Sequence, residues 1–109
     1  IYYIYGGYMP AREFLKIYYP QWTKKRVHAG IKIKAIFVDD PEVRKYVKSL
    51  PLITYKFMPR ESVSPAFWWL HGDIVYIVFF QKIPMVISIK NKELAKTYLA
   101  SFNFMWKNL

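Results

Sequence analysis

The side chains able to do chemistry in this chain are spread thinly, and the first pair to weigh is Asp39 and Asp40. They follow Ala35 to Val38, a continuous apolar run that reads as a strand buried on both faces. Ligands of open α/β sheets gather at the carboxyl ends of such strands. With Glu42 nearby, the two acids read either as a weak cation site or as a helix cap plus a loop acid. Two histidines, His28 and His71, stand far apart with no cysteine to join them, so no metal site is expected. Gly6 and Gly7 lack both the further glycines and the Lys-Ser/Thr pair of a phosphate loop, and no cofactor fingerprint appears elsewhere. No serine (Ser49, Ser62, Ser64, Ser88, Ser101) sits in a nucleophile elbow.

The densest cationic cluster is Lys24, Lys25 and Arg26, followed by His28, Lys32 and Lys34. On a helix Lys24 points outward, while Lys25 and Arg26 flank the apolar stripe. A guanidinium at a core edge needs partners, because burying it alone is very costly. Asp39, Asp73 or a row of carbonyls would serve; an anionic ligand is the other reading. Arg26, Asp39, Asp40 and His71 are therefore the candidate ligand-binding residues, and Lys24, Lys25, Lys32 and Lys34 form the candidate basic patch.

These residues must be placed by a regular succession of elements. Ile1 to Tyr5 reads as a strand ended by Gly6-Gly7. A helix from about Pro10 to Ala29 follows, interrupted by Pro20 and stopped by Gly30. Ile31 to Val38 is a strand. Asp40 then caps a short helix that begins with Pro41 and buries Val43, Tyr46, Val47 and Leu50. Leu52 to Met58 is the third strand. Ala66 to His71 and Ile74 to Phe80 form a hairpin about Gly72-Asp73, a pair that accommodates positive φ. Met85 to Lys90 is the sixth strand. Asn91 caps a final helix to Trp106, whose stripe is Leu94, Ala95, Tyr98, Leu99, Phe102, Met105 and Trp106. The order β-α-β-α-β-β-β-β-α predicts a three-layer α/β sandwich with a mixed sheet. Two features exceed what a core demands. Trp68 and Trp69 are adjacent on a strand and point to opposite faces. Phe104 lies opposite the last helix's stripe. These three are the candidate interface residues.

Composition sets the outer bounds. The chain has 109 residues, enough for one domain that hides about two-thirds of its unfolded surface. Hydrophobic residues make up 54% and aromatics 20%, enough for a core with aromatics left for a groove or partner surface. The formal charge of +10 attracts polyanions, and equally fits the surface lysine of thermophile proteins. No run reaches the roughly 18 apolar residues of a membrane span. With no signal peptide and no cysteine, a cytoplasmic protein is expected. A start inside a strand-like run suggests a piece of a longer chain.

Several stretches together resemble the effector-side domain of TrmB-family transcriptional regulators from archaea and some bacteria. They are Trp22 to Phe37, Leu50-Pro51-Leu52 through Lys56-Phe57-Met58-Pro59, and His71-Gly72-Asp73 through Ile77. The most specific is Ile87-Ser88-Ile89-Lys90-Asn91-Lys92-Glu93-Leu94-Ala95 with Tyr98, Phe102 and Trp106. Their order and spacing cover nearly the whole chain. That domain is similar in fold to one half of the phospholipase D superfamily, whose site is a His-x-Lys followed four residues later by Asp. With Asp73 as that aspartate, the other two places hold Ala66 and Trp68; with Gly72 there, they hold Pro65 and Phe67. The resemblance thus implies a regulatory, non-catalytic domain, homodimeric, with a possible small-molecule effector. DNA would be bound by a winged-helix domain preceding Ile1. Sugar recognition in the family rests on a further C-terminal domain and does not carry over. The alternatives are a divergent phosphodiesterase half-site completed across a dimer, or direct nucleic-acid binding through the basic patch.

Overall fold

The computed structural model describes residues 1–7, 19–62, 66–79, 83 and 85–109. Six strands form one mixed sheet: β1 (Tyr2–Gly7), β2 (Ile33–Val38), β3 (Ile53–Met58), β4 (Ala66–His71), β5 (Ile74–Phe79) and β6 (Met85–Lys90). Their spatial order is β3-β2-β1-β4-β5-β6. The first three strands run parallel, and β4, β5 and β6 continue the sheet antiparallel. Three α-helices are described: α1 (Tyr19–His28), α2 (Pro41–Val47) and α3 (Lys92–Lys107), with a 3-10 turn at Arg60–Ser62. The expected α/β element order is the observed one. Of the helix expected from about Pro10, residues 10–18 lie outside what is described; Pro20, the place of the expected interruption, is the second residue of α1 and helical.

Alternation divides the sheet into two faces. Ile36, Val38 and Met58 point to the face where Phe102 of α3 is fully buried, and Tyr3, Tyr5 and Trp68 pack around them. Farther along, Leu70 and Val75 meet Ala95 of α3 on the same face. Ile33 and Ala35 point the other way and are buried too. The right-handed rule for parallel crossovers puts α1 and α2 on that second face, where Val43 and Val47 are buried. The sheet thus lies between two helical layers.

Local signals explain the element ends. Asp40 accepts the Glu42 N–H at 2.9 Å and Asn91 accepts the Leu94 N–H at 2.9 Å, so both short polar side chains satisfy a first-turn donor. Gly72 has φ 61°, which the tight hairpin requires. Gly6 and Gly7 belong to β1 rather than ending it. Tyr5 pairs with Ile36 and Gly7 with Phe37, so Gly6 is a bulged residue, with φ 93°. A Cβ there would stand 2.9 Å from the Cβ of Phe67, so only glycine lets β4 approach β1 this closely.

Candidate functional site

Arg26 shows what a buried cation does here. It is 2% exposed, near the end of α1. Its Nη1 donates to the Ile31 carbonyl at 2.9 Å and to the Leu52 carbonyl at 3.3 Å, and its Nη2 to the Pro51 carbonyl at 2.6 Å. Burial lowers the guanidinium pKa, with the negative field of Tyr46 working in the opposite direction. The carbonyl row weighed from the sequence is the partner found. It also holds Leu52, a non-glycine residue at φ 52°, whose carbonyl accepts the Ile33 N–H as well. Arg26 ties the start of β2 to the start of β3.

Asp39 and Asp40 stand at the carboxyl end of β2, as expected, and each faces a cation. Arg44 Nε donates to Asp39 Oδ1 at 2.6 Å, and Arg60 Nη2 to Asp40 Oδ2 at 3.3 Å. The hydrogen bond from Arg44 holds the Asp39 carboxyl below its ordinary pKa. His71 lies at the other end of the sheet. It closes β4 beside the start of β1, about 20 Å from the β2 carboxyl end for a strand of this length. There its ring stacks on Tyr2 at 4.3 Å between centroids, nearly parallel. Burial raises the Tyr2 pKa, and Tyr76 adds to the shift. The four candidate ligand-binding residues are therefore not one site.

The basic patch is divided in the same way. Lys24, Lys25 and Lys32 are exposed. Lys34 points toward α3, with its Nζ 4.6 Å from the centre of the Trp106 ring. Among the interface candidates, Trp68 is half-buried and packed against Tyr5, Tyr98 and Phe102. Trp69, on the other face, is half-buried beside Phe67 and Tyr76. Phe104 is 70% exposed. Among the described residues, no three His, Cys, Asp or Glu side chains gather in a way that could hold a metal ion, and no helix is long and apolar enough to cross a membrane.

A concave site does form where no local pattern of residues announces one. α3 leaves β6 and crosses the sheet obliquely, opening a groove of about 310 Å³ between its first turns and the β4–β5 hairpin. Tyr3, Leu70, Ala95 and Leu99 make an apolar floor, and Asp73, Lys92 and Lys96 stand at the rim beside Gly72. The Asn91 N–H donates to the Asp73 carbonyl at 2.9 Å, fixing the helix start against the hairpin turn. Lys96 pairs with Glu93 at 3.5 Å, but both side chains are largely exposed, so the pair constrains the ammonium little. The volume falls in the range of small-molecule sites, and an apolar floor with a few rim charges is their usual make-up.

Floor residues come from β1, β4 and α3. Leu99 and Ala95 were legible as stripe residues, but their meeting with Tyr3 is set by strand order, which no local pattern encodes. No family profile, curated protein or solved structure matches this chain, so the groove is read from its own residues.

Proposed function

We propose that this domain is the non-catalytic regulatory unit of a TrmB-like transcriptional regulator, binding a small effector in the groove beside α3 and pairing with a second copy. The groove carries the reading. Its floor suits an apolar body, and Lys92 and Lys96 suit a carboxylate or phosphate at one end. The ligand class is thus a small amphiphilic anion. Asp73 on the same rim disfavours ligands with charge spread all round.

Three observations support binding without turnover. Among the described residues, the ionisable groups lining the groove are one tyrosine, one aspartate and two lysines, with no imidazole. His71 points to the opposite face of the sheet from Leu70 and Tyr3, and stacks on Tyr2 there. The places a phospholipase D-like site would give to histidine and lysine hold Ala66 and Trp68 if Asp73 is its aspartate, or Pro65 and Phe67 if Gly72 takes that place.

The test is a thermal-shift screen with aryl and alkyl carboxylates and phosphorylated metabolites, repeated on the Lys92→Glu, Lys96→Glu double variant. These lysines are exposed, so the fold is expected to survive the change. A rise in melting temperature that is lost in the double variant supports the reading. No shift with any compound, an equal shift in the double variant, or hydrolysis of a chromogenic phosphodiester by the chain would each overturn it.

A further inference from the structure

The sheet ends at β6, and this edge is unlike an ordinary one. β6 pairs with β5 on one side and, among the described residues, has no strand on the other. Its apolar residues are exposed on both faces: Met85 is 45% exposed, Val86 59% and Ile87 39%. Register assigns the faces. Ile87 pairs with Ile77, which packs in the α3 layer, so Met85, Ile87 and Ile89 share that face. Val86 and Ser88 point to the other. From Ile83 to Ile89 the chain has no charged residue. Soluble proteins usually protect an edge strand with lysine, proline or a bulge, because its free N–H and C=O groups recruit another strand.

A helix or loop laid on one face would leave the other face and the strand's outer backbone groups uncovered. An added strand satisfies the backbone and brings side chains to both faces at once. The pattern favours a second copy as the source of that strand. Its residues suit pairing with themselves about Ile87: Met85 and Ile89 are both apolar and share one face, and the small Ser88 shares the other with Val86. Charge points the same way. Two chains of +10 repel, so a self-contact is favoured where cations are missing, and Ile83 to Ile89 is such a stretch.

We propose that two copies of this chain pair antiparallel through β6, with Ile87 opposite its own counterpart across a two-fold axis. In this register Met85 lies across from the second copy's Ile89, and Val86 from its Ser88, so every opposed pair shares a face. Lys90 of each copy then lies beyond the last of these opposed pairs, which keeps the two lysines apart. The contact is isologous, as a closed dimer requires. The inference deepens the self-pairing part of the proposed function, and its test does not involve the groove.

Because the chain has no cysteine, Ile87→Cys introduces a single thiol. Directly opposed residues of an antiparallel pair have Cα atoms about 4.5–5.5 Å apart, within reach of a disulfide. Under mild oxidation, Ile87→Cys is expected to convert most of the chain to covalent dimer. Ser88→Cys and Phe104→Cys should do so several-fold more slowly. Equal rates at the three positions, or no dimer from Ile87→Cys, would overturn the proposal. Sedimentation of the unmodified chain should show a dimer that tightens as ionic strength rises, and Val86→Lys should be monomeric with an unchanged far-UV spectrum. A monomer at every concentration, or a Val86→Lys dimer, would equally overturn it.

Discussion

The two edges of this sheet have been treated in opposite ways. At β3 cations and the last helix close the edge. Arg26 gathers the carbonyls of Pro51 and Leu52 at the start of the strand. Lys56, within it, donates to the Trp106 carbonyl at 2.8 Å and the Leu109 carbonyl at 3.3 Å. The Arg44 guanidinium lies 4.2 Å from the centre of the Phe57 ring, and prolines flank the strand at positions 51 and 59. At β6 a proline precedes the strand and Lys90 ends it, but Met85 to Ile89 holds no cation and no charged residue. The difference is in exposure: the apolar side chains of β6 from Met85 to Ile87 are exposed, while β3 ends in the buried Met58, and the proposed pairing accounts for that contrast. The groove at the start of α3 lies between the two edges, over the central strands β1 and β4.

The comparison can be broken most severely at Phe102. This ring is fully buried, meets Tyr3 edge-on at 5.2 Å and stacks on Trp106 at 6.0 Å, so it pins the helix whose far end covers β3. Phe102→Ala is expected to cost about 4 kcal/mol in denaturant unfolding. It should also expose Lys56 amides to faster hydrogen exchange. Arg26→Ala comes next. It takes the guanidinium from the Ile31 and Pro51 carbonyls and from the left-handed turn at Leu52, and should cost about 3 kcal/mol, seen as a melting temperature lower by roughly 13 °C. Arg26→Lys should recover little, because an ammonium cannot make the same fork.

Smaller changes sharpen the contrast. Lys56→Met removes a donor from the carboxyl end of α3 and should cost about 1 kcal/mol. By uncovering β3 it should also raise non-specific association, measurable by light scattering. Leu52→Gly goes the other way. It relieves a positive φ at an exposed position and should stabilise the chain by about 0.5 kcal/mol, provided Arg26 still binds the carbonyl.

These outcomes also mark what the sequence could and could not reveal. The caps at Asp40 and Asn91, the turn at Gly72-Asp73 and the stripe of α3 are written locally, in a polar residue before a helix or a period of three to four. They appear in the structure where the pattern puts them. The strand order is not local. It follows from β4 pairing with β1 rather than with β3, and that choice needs Gly6, read from sequence only as a terminator. The groove depends on the same non-local choice, since it joins Tyr3 to Leu99. Arg26 lay between the two cases. Its position beside an apolar stripe announced a need for partners, while the carbonyls that meet the need come from a distant loop.

The most direct test of this account is amide hydrogen exchange of the unmodified chain as its concentration is raised. Amides of Met85–Lys90 that point away from β5 should become protected as concentration rises, while those of Ile53–Met58 exchange at unchanged rates. Exchange of β6 that is fast and indifferent to concentration would mean that no second copy closes this edge.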